Sequence, residues 1–387
     1  FAKVTSSANG VADGATPLSA VEFAALGFSS VDTASEVGLL NELIDRQVAS
    51  AVDSYGELSV IASRVTRLMG EAAGVAASPA LTPSDLAALG ITGVTAENLE
   101  EVLSALRASA DDGSDIDTLS ELQILVAAAV AQSRQDAIDR ISQYDGTSST
   151  TTPTLADYAN AGVSGVSVNN LLSINSAFAE IALADSNTTA SIQGVVTGYV
   201  AILLGADGQS DGDLSLTASG YVAMNLTRVD TSGKANLLNE VLDRSATSGV
   251  DTYLELQAIS HVVADIFLVS AGAQAQTPIT AARLALIGLS GVTSDNIALI
   301  VAAIAGTSDD TLGVDSLAEL QTLVNQVRTS QAAALAVISA HDGANTAPSL
   351  STFESAGIIG VDSSNIGIIN QFLAVMSAES TDSVSEV

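Results

Sequence analysis

The chain has 387 residues, of which 44 are acidic and 12 basic, a formal net charge of −32. That balance excludes nucleic acid and an anionic membrane surface as partners, because neutralising phosphate needs Lys and Arg gathered on one face, and the lysines are Lys3 and Lys234 alone. Hydrophobic residues make up 47% and aromatics 3%, with no Trp and no Cys, a composition too apolar for disorder and suited to close-packed helices held by packing or bound ions rather than disulfides.

Residues 1–7 read as the tail of a helix from a preceding module, followed by a polar loop with Asn9-Gly10 and Asp13-Gly14. The first module, A1 (1–75), predicts helices near 18–26, 33–50 and 54–72, the last opened by a capping box at Ser54 and Glu57. Module B1 (76–146) opens on the stretch that organises the chain, Thr82 to Asn98, TPSDLAALGITGVTAEN. Thr82 or Ser84 caps a short helix with Pro83 at its start. The helix stops at Leu89, Gly90 takes the left-handed position, and Ile91 folds back on Leu86 in a Schellman arrangement. Val94 follows as a buried pin, and Thr95 is placed to cap the next helix. The third helix of B1 carries an apolar stripe at 3.6-residue spacing through Leu119, Leu122, Leu125, Val126, Ala129, Val130, Ala137, Ile138 and Ile141. A Thr/Ser loop at 147–152 opens module C1 (147–205), with helices near 154–161, 168–183 and 188–204, and with Ser191 where a capping-box Glu is expected. Modules A2 (206–273), B2 (274–343) and C2 (344–387) repeat the order, and the chain stops where the last helix of C2 would begin.

The corner recurs six times. Its last-turn apolar residue, left-handed residue and folded-back apolar residue are Phe23, Gly27, Phe28; Leu86, Gly90, Ile91; Tyr158, Gly162, Val163; Tyr221, Asn225, Leu226; Leu284, Gly288, Leu289; and Phe353, Gly357, Ile358. The pins are Val31, Val94, Val166, Val229, Val292 and Val361, spaced 63 to 72 residues apart, with Val31 to Val229 and Val94 to Val292 both 198 residues. No stretch reads as a strand. The expected fold class is therefore all-α: tandem three-helix modules of about 63–72 residues in the order ABC-ABC, as an extended array or solenoid, since one module is too small to hide its apolar faces alone.

The acidic loops carry the candidate chemistry. Asp207, Asp211 and Asp213 stand at positions one, five and seven of a calcium loop, with Gly212 at six. Gln209 at position three and Ala218 at position twelve depart from that pattern, and the equivalent earlier loop has Asn9, Asp13 and Ala15, so a solvated polar turn is the alternative. Asp111, Asp112, Asp115 and Asp117, paralleled by Asp309, Asp310 and Asp315, form a second acidic cluster, for which the alternative is ordinary placement at helix N-termini. Calcium is the one cofactor these loops point to. His261 reads as structural and His341, in the place of Tyr144, as a surface residue; two isolated histidines make no zinc site. Asp45-Arg46, Asp139-Arg140 and Asp243-Arg244 read as local ion pairs or solvated groups. The longest apolar runs, 194–206 and 296–306, are too short to span a bilayer. No nucleophile elbow, phosphate loop, dinucleotide fingerprint or zinc-protease motif is present, so no catalytic residue is assigned and no enzyme is expected.

TPTLADYANAGVSGV followed by NN and a helix, with module ends YDGT and HDGAN, resembles the tandem helical repeats of very large bacterial surface and secreted proteins, adhesin-like and in many cases type I secretion substrates. The resemblance spans essentially the whole chain and brings no catalytic residues. It implies an extracellular or cell-surface setting and a role in adhesion, biofilm or surface layers. The expected function is structural: a spacer, stalk or self-assembling fibre whose partner is itself, head-to-tail or laterally, with a cell surface beyond it. The alternative is a helical array that binds a glycan or peptide, which requires clustered exposed aromatics.

Overall fold

The computed structural model describes residues 1–109, 113–307 and 313–387. Among them the chain is all-α, with eighteen α-helices, four short 3-10 turns and no strand. It forms two compact units, one of residues 1–141 with 153–163 and the other of 142–152 with 164–387.

The first unit holds α1 (Ala2–Ser7), α2 (Ala20–Ala25), α3 (Ala34–Asp45), α4 (Tyr55–Ala72), α5 (Pro83–Ala88), α6 (Leu99–Arg107), α7 (Leu119–Ser142, all but its last residue) and α8 (Leu155–Asn160). One apolar cluster runs through it, from Val4 and Phe23 through Leu39, Leu58 and Leu86 to Leu106, Leu122 and Val126. Each such large side chain contributes roughly 1.5–3 kcal/mol on burial. The stripe on α7 is buried as its spacing predicts at Leu122, Val126, Ala129, Ala137, Ile138 and Ile141. The helix expected over 33–50 is shorter, because α3 stops at Asp45 and a 3-10 turn at Ala49–Ala51 follows.

The second unit holds α9 (Leu171–Phe178), α10 (Thr189–Gly205), α11 (Ala218–Ala223), α12 (Ser232–Asp243), α13 (Tyr253–Ser270), α14 (Ala281–Leu286), α15 (Ile297–Ala305), α16 (Leu317–Ser339), α17 (Leu350–Ala356) and α18 (Ile366–Leu373). Helix α13 is its hub, packing against α9, α12, α14 and α15. By length and composition α13 is also apolar enough to cross a membrane, longer than the runs legible in the sequence, but 67% of it is buried inside the protein and it carries the ion-paired Asp265. Here it serves as a core helix.

All six corners form. Residues Gly27, Gly90, Gly162, Asn225, Gly288 and Gly357 have φ between 63° and 97°, the left-handed region where a Cβ is disfavoured. In every copy the folded-back residue donates its N–H to the carbonyl five residues earlier, as in Phe28 to Phe23, Ile91 to Leu86 and Leu226 to Tyr221, and the left-handed residue donates to the carbonyl three earlier. Both Schellman bonds are thus present six times. The last-turn residues Phe23, Leu86, Tyr158, Tyr221, Leu284 and Phe353 are no more than 1% exposed.

The pin is deeply buried only at Val31 and Val229; Val94, Val166, Val292 and Val361 are half-buried. The difference follows from the residue immediately before the pin. Val94, Val166, Val292 and Val361 each follow a glycine, Gly93, Gly165, Gly291 and Gly360, with φ between 80° and 93°, so the backbone reverses once more before the valine. At Val31 and Val229 the preceding residues are Ser30 and Arg228, and the valine N–H closes a tight turn onto Phe28 or Leu226 instead.

The same glycine moves the next helix start. Thr95 does not cap α6. Asn98 precedes it, and its side chain accepts the Thr95 N–H at 2.8 Å while donating to the Gly93 carbonyl at 3.1 Å. Asn170, Asn296 and Asn365 tie the same loop with the same pair of bonds. In the corners without that glycine, Thr33 and Thr231 cap α3 and α12 directly. Asn98 is 7% exposed, and Asn98→Ala removes both of the bonds that tie the loop, to the Thr95 N–H and the Gly93 carbonyl. It is expected to destabilise the first unit by about 1–3 kcal/mol in urea unfolding, whereas Thr95→Ala, which keeps its backbone N–H, is expected to change stability by less than about 0.5 kcal/mol.

The capping boxes at Ser54, Thr118 and Thr252 form with Glu57, Glu121 and Glu255, and Ser316 pairs with Glu319. At Thr188 the hydroxyl of Ser191 takes the part of the missing Glu, receiving the Thr188 N–H at 3.1 Å. Ser383 and Glu386 make the box bond in a turn rather than at a helix start.

Candidate metal centre

The loops before α2 and α11 are built alike. Each is held at its start by an isolated bridge, Asn9 with Val48 and Asp207 with Ala246. At its far end a left-handed glycine presents its N–H to the carboxylate that ends a helix further along the chain, α3 or α12: Gly14 to Asp45 Oδ2 at 2.8 Å, and Gly212 to Asp243 Oδ2 at 3.2 Å. Asp45 and Asp243 are 3% and 4% exposed, so these aspartates of the Asp-Arg pairs are neither solvated nor paired to the arginine beside them. Arg46 instead pairs with Glu42 one turn back, and Arg244 donates to Ser210 Oγ at 3.1 Å.

The second oxygen of each buried carboxylate is the notable atom. Asp45 Oδ1 and Asp243 Oδ1 are both buried with no hydrogen-bond partner. Leaving such a lone-pair site unmet is costly for any polar group and more so for a charged one.

What surrounds the two orphans differs. In the second unit, oxygens of Asp211, Asp213 and Asp243 lie within 4.8 Å of one another, the one such acidic group among the described residues. Desolvation and the neighbouring carboxylates of Asp211, Asp243 and Asp207 push the Asp213 carboxyl above the usual carboxylate range. In the first unit Asp13 stands where Asp211 does, but Ala15 replaces Asp213, and the Asn9 amide approaches Asp13 at 3.4 Å.

Two of the three residues picked out in sequence, Asp211 and Asp213, come together. Asp207 does not join them, since its Oδ1 accepts the Gln209 N–H at 2.7 Å and closes its own turn. Asp243 was not visible as part of this loop because it lies 30 residues beyond Asp213, at the end of α12. The signal available was recurrence: Asp13 to Asp45 and Asp211 to Asp243 share the same separation.

The other candidates resolve into local structure. Asp115 and Asp117 have partners of their own; Asp111, Asp112, Asp309 and Asp310 lie outside the described residues. Asp315 lies beside Glu319 and Glu240, with its carboxyl raised by burial and by both of them; those two glutamates serve as helix-start acceptors, for Ser316 and for the Leu317 N–H. His341 is buried, 6% exposed, rather than on the surface, and its Nδ1 pairs with Asn345 Oδ1 at 2.7 Å across the turn. His261 is half-buried on α13, where burial and then Arg228 hold its imidazole below the usual range.

No protein-family model, no curated protein and no solved structure matches the chain.

Proposed function

We propose that this chain is an extracellular structural repeat protein, in which three-helix modules in the order ABC-ABC stack on one another to make a spacer or self-assembling surface fibre. The observation that carries the reading is a bond that repeats from module to module. The Glu42 carboxylate on α3 caps the Leu119 N–H at the start of α7 at 2.7 Å; Glu240 on α12 does the same for Leu317 of α16 at 2.8 Å; and Ser176 on α9 receives the Tyr253 N–H of α13 at 2.9 Å. In each case the second helix of one module satisfies the first donor of the third helix in the next, 77 residues on. Such a bond belongs to stacking and has no chemistry of its own.

Composition and resemblance supply the setting. The heavily acidic, cysteine-free surface and the likeness to large bacterial surface proteins support an extracellular role in adhesion or biofilm with the chain itself as partner. The alternative of a glycan- or peptide-binding array is less favoured, because Tyr158, Tyr199, Tyr221, Tyr253, Phe23, Phe178 and Phe353 are all spent in the interior. Small-angle scattering tests the reading. A chain of this length packed as one globule has a radius of gyration of about 21 Å. The spacer reading expects a clearly larger value and a rod-like distance distribution, and a value near about 21 Å sinks it.

A further inference from the structure

We propose that Asp211, Asp213 and Asp243 bind one calcium-class divalent cation, and that the matching loop of the first unit is the same site with one ligand missing. This inference does not depend on the spacer reading. Three carboxylate oxygens within 4.8 Å of one another fit the Ca2+ sphere, since two ligands at 2.3–2.6 Å from a shared ion stand at most about 5 Å apart.

A second observation is the unpartnered buried oxygen of Asp243. The residue is 4% exposed, it is fixed by the Gly212 N–H on Oδ2, and its Oδ1 has no protein partner. A buried carboxylate with an open lone pair, beside two more carboxylates, offers three of the roughly six to eight oxygens that calcium takes, and water can supply the rest. Arg244 is the cation nearest in sequence, and its guanidinium is turned to Ser210. The first unit keeps Asp45 with the same orphaned oxygen, and keeps Asp13, but Ala15 offers nothing where Asp213 stands. Two carboxylates with an amide beside them make a poor hard-cation site. The protein thus carries the site and its own control.

Calorimetric titration of the chelator-stripped full chain with CaCl2, at fixed ionic strength, tests this. The expected stoichiometry is one, with a Kd on the order of 10−4 M, in the class of extracellular calcium modules. Asp213→Ala, a change on an exposed loop, is expected to weaken binding at least tenfold. Asp243→Asn keeps an acceptor for Gly212 while removing the charge, and is expected to lose binding with its melting temperature in chelator unchanged or raised. Ala15→Asp is expected to create a second equivalent of binding. The proposal is overturned if the unaltered chain takes up no calcium below 10 mM (about a hundredfold above the expected Kd), or if Asp213→Ala and Asp243→Asn bind as it does.

Discussion

Replacing Asp265 with Ala is expected to destabilise the second unit by about 3–5 kcal/mol, the loss typical of a buried ion pair deprived of one partner. Asp265 is 0% exposed on α13, where it receives Arg228, Arg283 Nη2 at 2.7 Å and the Gln276 N–H at 2.9 Å. Without the carboxylate, two guanidiniums that are 20% and 16% exposed are left facing each other. The loss should appear as a lower urea midpoint with an unchanged slope. A change below about 1 kcal/mol would mean that solvent already compensates the two arginines, as at a surface pair.

The chain suggests its own rescue. Positions 198 residues earlier hold Arg67 in place of Asp265, Asp85 in place of Arg283, and Ser30 in place of Arg228, and there Arg67 Nη2 meets Asp85 Oδ1 at 3.0 Å. The pair is conserved in place and reversed in sign. Combining Asp265→Arg, Arg283→Asp and Arg228→Ser rebuilds the first unit's polarity, and should recover at least about 2 kcal/mol of the loss. Burial opposes ionisation of Asp265, yet its two arginines hold the carboxyl below the usual range. A depressed folded-state pKa contributes stability above the unfolded value of about 3.9 and loses it as pH falls through the folded one, so the difference between Asp265→Ala and the unaltered protein should shrink in acid, below about pH 4.

That reversal also marks what could be read from the sequence. Glycine-stopped corners were legible because each depends on residues within six positions of one another: a large apolar residue, a left-handed residue and a second apolar residue. Capping boxes were legible for the same reason. Asn98 and its three counterparts are also local, but the sequence offered Thr95 as an equally good cap, and only the extra turn at Gly93 decides between them. Burial of Asp45 and Asp243 was not legible, since an aspartate beside an arginine at a helix end looks solvated until the loop 32 residues earlier is laid across it. The swapped pair was hidden by its own logic: comparing residue types between copies scores Arg67 against Asp265 as a mismatch, whereas the physical quantity preserved is the product of two charges.

The corner at α11 should be sensitive to loss of a single ring. Tyr221 is fully buried, and its hydroxyl donates to Asn239 Oδ1 at 2.6 Å. The same oxygen receives the Leu216 N–H at 3.2 Å, and the Asn239 amide donates to the Leu216 carbonyl at 2.8 Å, so the ring, the corner and the incoming loop share one polar clasp. Tyr221→Ala removes the ring and opens a cavity under the corner, for an expected loss of about 3–5 kcal/mol. Tyr221→Phe is a milder change with an internal precedent. Phe23 occupies the equivalent place in the first unit, where Asn41 clasps Leu18 by the same two bonds without any hydroxyl. Because Asn239 Oδ1 keeps its bond from Leu216, the loss for Tyr221→Phe should be about 1 kcal/mol. Asn225→Gly should act in the opposite sense on the left-handed residue at φ 63°, giving about 0.5–1 kcal/mol by removing a Cβ from a region it disfavours. Chemical denaturation of the three variants ranks them. If Tyr221→Ala falls no further than Tyr221→Phe, the corner closes without its ring, and the six large residues at this position are not what holds the bend.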